Sequence, residues 1–256
     1  ALEWGYEYDH PFTERLQKFT SFGIPFYVCP GISNWCSLAG RTDNAIGNIA
    51  SAASSGLANG AVGMLNTSWG DYGHWDPLPV AYLGFLVGAM TSWNVKSDAK
   101  ESLAEKLSLH AFGDPTGKTG RAFYDLGNVY KSFGKRTANC AAPWLMLFRK
   151  LDDLKVGEGL AASEFDNMDR RLGEISAAFQ GDKMMISDAG TVRSEFQFLF
   201  DILHFSADVG RMRLGGPSVT DLRSRVAKIK DEHRQVWLLR NRPGGLEDSA
   251  GKLAVG

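Results

Sequence analysis

Short apolar runs bounded by glycine or polar residues alternate with longer amphipathic stretches along the first third of the chain. Leu2 to Tyr6, Pro25 to Cys29 and Ala61 to Leu65 read as strands, and the segments at about 13–22, 43–58 and 79–93 that follow them read as helices. Strands alternating with helices make a parallel sheet, because each crossover returns the chain to the same end of the sheet. Three such β/α units predict a small parallel sheet, and three parallel strands alone leave two sheet edges open to pairing.

From Lys96 onward the strand signal stops and helical periodicity takes over, with breaks at Gly113-Asp114-Pro115-Thr116-Gly117 and Gly215-Gly216-Pro217. Phe165, Met168, Leu172, Ile175 and Phe179 form one apolar stripe at steps of three and four. Val219, Leu222, Val226, Ile229, His233 and Val236 form another, and Phe196, Leu199, Phe200 and Leu203 mark a third long helix. His233 falls on its stripe, which predicts an interhelical histidine rather than a ligand. The predicted class is α/β plus α: three β/α units over residues 1–95 followed by an all-helical region over 96–256.

Composition narrows the function classes. With 256 residues, 44% of them hydrophobic, and a formal charge of -1, the chain reads as globular and carries no excess of basic charge for a nucleic acid. No apolar run approaches the roughly 20 residues that cross a bilayer, so no membrane partner is expected. Cys29, Cys36 and Cys140 form no Cys-x-x-Cys pair and read as buried thiols, and the five histidines show no metal-ligand spacing. No metal and no cofactor are expected. Gly113 to Thr119 lacks the spacing of a phosphate loop, and no Gly-x-Ser-x-Gly elbow occurs. Ala1 to Gly5 reads directly as strand, so a signal peptide or preceding domain would lie outside this sequence.

The chemistry concentrates after the strands. Asn66-Thr-Ser-Trp-Gly-Asp-Tyr-Gly-His-Trp-Asp-Pro77 brings Trp69, Asp71, His74 and Trp75 together behind the third strand. An indole packs the apolar face of a pyranose while a carboxylate accepts from its hydroxyl rim. The same tryptophans would serve equally as loop anchors, with Asp71 capping a turn. Trp4, Glu7, Asp9 and His10 follow the first strand, and Trp35 and Arg41 follow the second. Strand C-terminal ends converge on one crevice in α/β sheets, so the three clusters are expected to face one site. Glu7, Asp9, Asp71 and His74 are the candidate acid/base groups. Trp4, Trp69, Trp75, Trp35 and Arg41 are the candidate substrate-binding residues. Asp152-Asp153 is expected to face solvent or end a helix.

Trp69-Gly70-Asp71 after an apolar strand resembles the barrel-closing motif of the β-N-acetylhexosaminidases, glycoside hydrolase family 20. Leu2-Glu3-Trp4 resembles an earlier strand of that family. Trp237 to Leu246 resembles the end of the helical region that follows the barrel in bacterial relatives. The resemblance implies that the three β/α units over 1–95 are part of a (β/α) TIM-type barrel, that Trp4 and Trp69 wall a pocket for a terminal N-acetylhexosamine while Asp71 binds its hydroxyls, and that hydrolysis proceeds by substrate-assisted retention. The family's adjacent Asp-Glu pair has no equivalent in this chain, and Tyr27 lies too deep in its strand to match the family's tyrosine. The expectation is a glycosidase-related protein that binds, and as an enzyme would hydrolyse, β-linked N-acetylhexosaminides. The alternative is a non-catalytic carbohydrate-binding or scaffold module. In either case the open edges call for a homo-oligomer or a complementing chain. A third reading makes the helical region an interaction surface with exposed apolar stripes.

Overall fold

The computed structural model describes residues 1–97, 102–150 and 158–253; the Asp152-Asp153 dyad lies outside them. Three short strands, β1 (Leu2–Trp4), β2 (Tyr27–Cys29) and β3 (Gly63–Met64), form one parallel sheet in the order β1-β2-β3. Leu2 pairs with Tyr27 and Trp4 with Cys29, while Val28 pairs with Met64. The connecting helices are α1 (Phe12–Ser21) and α2 (Thr42–Ala58), and α3 (Pro79–Trp93) follows β3. The strands are shorter than the apolar runs that predicted them. At the end of β1, Gly5 lies so close to the His10 ring that a Cβ would sit 2.2 Å from it, and the chain turns there.

The sheet has two unlike faces. On one, Phe12 and Leu16 of α1 and Ala52 of α2 bury Phe26 and Val28. Glu3 points the same way and is buried, where its carboxylate takes hydrogen bonds from Arg15 Nε at 2.5 Å and meets His10 Nε2 at 3.0 Å. Side chains alternate along a strand, so Leu2 and Trp4 emerge on the opposite face. Among the described residues no helix covers that face: Leu2 is 59% and Trp4 62% exposed, and Tyr27 and Leu65 are exposed beside them.

Seven further helices follow among the described residues: α4 (Leu103–Phe112), α5 (Lys118–Leu126), α6 (Ala142–Phe148), α7 (Ala162–Phe179), α8 (Ala189–Arg213), α9 (Leu222–Arg240) and α10 (Leu246–Gly251). The molecule is thus mainly helical, with a small parallel sheet. One core cluster runs from Ile46 and Ile49 of α2 through Val87 of α3 to Leu107, Leu172 and Leu199, crossing the boundary at 95. Phe165, Met168 and Leu172 of α7 are buried against α8, whose Gly210 lies under the Phe165 ring. The α7 stripe is therefore interior, and on α9 Ile229 and His233 are buried while Leu222, Val226 and Val236 are partly buried against the core, unlike the exposed stripes of the interaction-surface reading. Val219 lies before α9, because Asp221 takes the left-handed conformation (φ 51°) and the helix begins after it.

The Gly113–Thr119 segment proves to be a cap. Asp114 accepts from the backbone N–H groups of Thr116 and Thr119 and from both hydroxyls. Burial pushes its carboxyl up, but these four bonds outweigh it and hold the group well below the usual range.

Candidate functional site

The open sheet face and the loops at its C-terminal end enclose a groove of about 690 Å³, with Trp4, Tyr6, Cys29, Leu65, Trp69 and Asp71 in its wall. Trp4 lies 5.7 Å from the Tyr6 ring, and Tyr6 stands edge-on to Trp35 at 4.9 Å. Trp69 donates its indole N–H to Tyr6 Oη at 2.9 Å, so the third cluster is tied directly to the first. Burial raises the Tyr6 hydroxyl above its ordinary value, with the bond from Trp69 pulling part of the way back, and the phenol stays neutral. Trp69 is 47% exposed and Asp71 is exposed at the start of a 3₁₀ turn. Among the described residues no hydrogen bond or ion pair engages the Asp71 carboxylate.

Two asparagines one turn apart on α2 hold the first loop in place. Asn48 donates to the carbonyls of Gly5 (2.9 Å) and Glu7 (2.8 Å) and accepts from the Gly31 N–H (3.0 Å). Asn44 donates to Tyr6 O at 2.7 Å and accepts from Tyr8 N–H at 3.0 Å. Both amides are buried, where an unpaired polar group would cost about 1–3 kcal/mol, so this pairing fixes the loop geometry.

Several expected site residues lie elsewhere. Glu7 is bound by Arg41 through two nitrogens at 2.9 and 3.1 Å, takes the Asn139 N–H at 2.7 Å and is reached by Arg136. Burial pushes its carboxyl up, but the bonds and charge of Arg41, then Asn139 and Arg136, outweigh that and keep it ionised. Asp9 is held low by Arg136, which binds both its oxygens. A general acid must carry a proton, so neither carboxyl suits that role. Arg41, 3% exposed, is committed to Glu7 instead of to a ligand. Trp35 is buried beneath Tyr6 with its N–H on Asn139 Oδ1 (2.9 Å), and so supports the groove without lining it.

The loop itself is split. Trp75, 3% exposed, stacks on His233 at 3.9 Å and 11° and donates to Ser249 O at 3.2 Å. It is a core residue and lies outside the groove. His74 faces away from the groove into a separate, partly open cavity of about 130 Å³ shared with Trp75, Asp76, His233 and Trp237. Burial lowers the His74 imidazole and raises Asp76 well above the carboxylate range, although Asn34 donates to Asp76 at 2.6 Å. Tyr72, Gly73 and His74 all have positive φ (54°, 92° and 54°). For the two residues that carry a Cβ this costs about 1–2 kcal/mol each, which the surroundings must offset.

Tyr6 is the groove residue that motif reading overlooked. Its two-residue spacing from Trp4, which carries both to the same side, was the available signal. Among the described residues, no cluster of three histidine, cysteine or acidic side chains is placed to hold a metal, and no helix is long and apolar enough to cross a membrane. No known family model matches the chain, and no curated protein matches it.

Proposed function

We propose that this chain binds the terminal N-acetylhexosamine of a β-linked saccharide, as a relative of the β-N-acetylhexosaminidases whose three β/α units form part of a TIM-type barrel. The observation that carries the reading is the aromatic wall of Trp4, Tyr6 and Trp69 beside an uncommitted Asp71 carboxylate, at the C-terminal ends of parallel strands. Indole and phenol rings suit the C–H face of a sugar, and a free carboxylate suits its hydroxyls. Substrate-assisted hydrolysis would further need a proton-bearing acid at the leaving oxygen. Glu7 and Asp9 are locked in ion pairs, so binding without turnover is the reading favoured for the chain alone. Catalysis would require that acid from a polypeptide covering the free edges of β1 and β3.

The test is titration of N-acetylglucosamine against tryptophan fluorescence, with hydrolysis of an aryl N-acetylglucosaminide run in parallel. Asp71→Asn removes a charged acceptor worth about 1.5–3 kcal/mol, so affinity should fall roughly tenfold or more. Unchanged affinity removes Asp71 from the site. Turnover by the isolated chain would overturn the binding-only reading, and a monomer by light scattering whose Leu2 to Tyr6 amides are protected from exchange would remove the covering partner.

A further inference from the structure

Asp71 owes its place in the groove to a loop that does not adopt its shape unaided. Left-handed backbone continues from Tyr72 (φ 54°, ψ 37°) through Gly73 (φ 92°) to His74 (φ 54°, ψ 69°), and the His74 N–H closes back on Asp71 O at 3.4 Å. Such a run persists only where the surroundings over-determine it. Here they do so from the far end of the chain. Ser249 of α10 donates its hydroxyl to Gly73 O, while its Oγ lies 2.8 Å from His233 Nε2 and its carbonyl accepts from Trp75. With the Ser249 proton spent on Gly73, the His233 ring must carry its hydrogen on Nε2, which a neutral imidazole supplies. The fit is tight as well as bonded: a Cβ on Gly73 would stand 2.9 Å from Ser249 Cα. On the other side the Tyr72 ring is covered by the Arg149 guanidinium at 4.0 Å and meets the edge of Trp144 at 5.2 Å.

We infer that Ser249 and His233 are positioning residues for the groove: they hold the left-handed stretch at 72–74, and that stretch aims Asp71 at a bound sugar beside Trp69. The helical region thereby completes a binding site whose ligand-facing residues all belong to the sheet region. The sugar part of this inference rests on the proposed function; the loop part does not. Among the described residues Ser249 hydrogen-bonds to Gly73, Trp75 and His233 and to no groove residue, so its influence on a ligand passes through the backbone of 72–74.

The experiment compares Ser249→Ala and His233→Gln with Ile229→Ala in the full chain. Ile229 is buried on the same helix as His233, so its truncation destabilises the fold without entering the bond network. Glutamine keeps a donor for Ser249 Oγ. N-acetylglucosamine affinity should fall about tenfold in Ser249→Ala, fall by less in His233→Gln, which keeps the donor but loses the stack on Trp75, and stay within about twofold of native in Ile229→Ala. Native affinity in Ser249→Ala, a loss in His233→Gln as large as that in Ser249→Ala, or an equal loss in Ile229→Ala overturns the inference. Amide exchange at His74 is read on the same samples. It should accelerate in Ser249→Ala and not in Ile229→Ala. If the native chain binds no sugar, the proposed function fails and the exchange result alone decides the loop: unchanged exchange in Ser249→Ala overturns it, and selective acceleration upholds it.

Discussion

Trp69 and Trp75 belong to one loop and one residue type, yet they meet opposite surroundings. Trp69 lies half open in the groove with its N–H on the Tyr6 hydroxyl, whereas Trp75 is sealed between His233, Phe198 and Phe148. Between them the backbone passes through the left-handed stretch that turns the loop from one side to the other. The difference separates two roles that identical side chains share in sequence. A tryptophan facing a groove is free to contact a ligand, and one stacked in a core contributes only to the fold and to the loop's geometry.

The largest effect should come from truncating the two in turn. Trp75→Ala should cost about 3–5 kcal/mol in urea unfolding, the range for a buried aromatic, while Trp69→Ala should cost under about 1 kcal/mol and abolish most sugar affinity. Equal losses of stability would dissolve the contrast.

His233, under Trp75, gives the next effect. Burial holds its imidazole down at about 4, against an ordinary 6.5, so the folded state keeps it neutral while the unfolded chain takes up a proton first. Its stabilising contribution is complete above pH 6.5 and declines as pH falls towards 4, by about 3 kcal/mol in all. Urea midpoints measured between those pH values should fall, and His233→Gln should flatten the slope. An unchanged slope in that variant would assign the decline to other groups.

Asp76 offers an effect of the opposite sign. Its folded carboxyl is raised by burial, so its contribution is fully present below the unfolded carboxylate value of 3.8 and is lost as pH rises through the folded value. Asp76→Asn keeps an oxygen for the Asn34 amide and removes that liability. It should raise the thermal midpoint at neutral pH and converge with the native chain at about pH 3, below the unfolded value. A lower midpoint at neutral pH would mean that the carboxyl is ionised and paired.

The alternation of strands and helices, the interior stripes of α7 and α8 and the interhelical place of His233 were legible because each follows from a local period. So was the wall of Trp4 and Trp69 with Asp71, which follows strand ends. The fate of Glu7 and Asp9 was not, since Arg136 and Asn139 lie far along the chain. Nor was that of Arg41, which reads as a ligand contact until Glu7 is seen to occupy it.

By itself, then, the sequence determined which segments become strands and helices, because side-chain periodicity selects the buried face of each element. It also determined that aromatic and acidic residues gather where the strands end. Tertiary structure alone decided which of them face the groove. Burial and pairing depend on neighbours distant in sequence, so two tryptophans in one loop part ways only when Ser249 and His233 close over one of them.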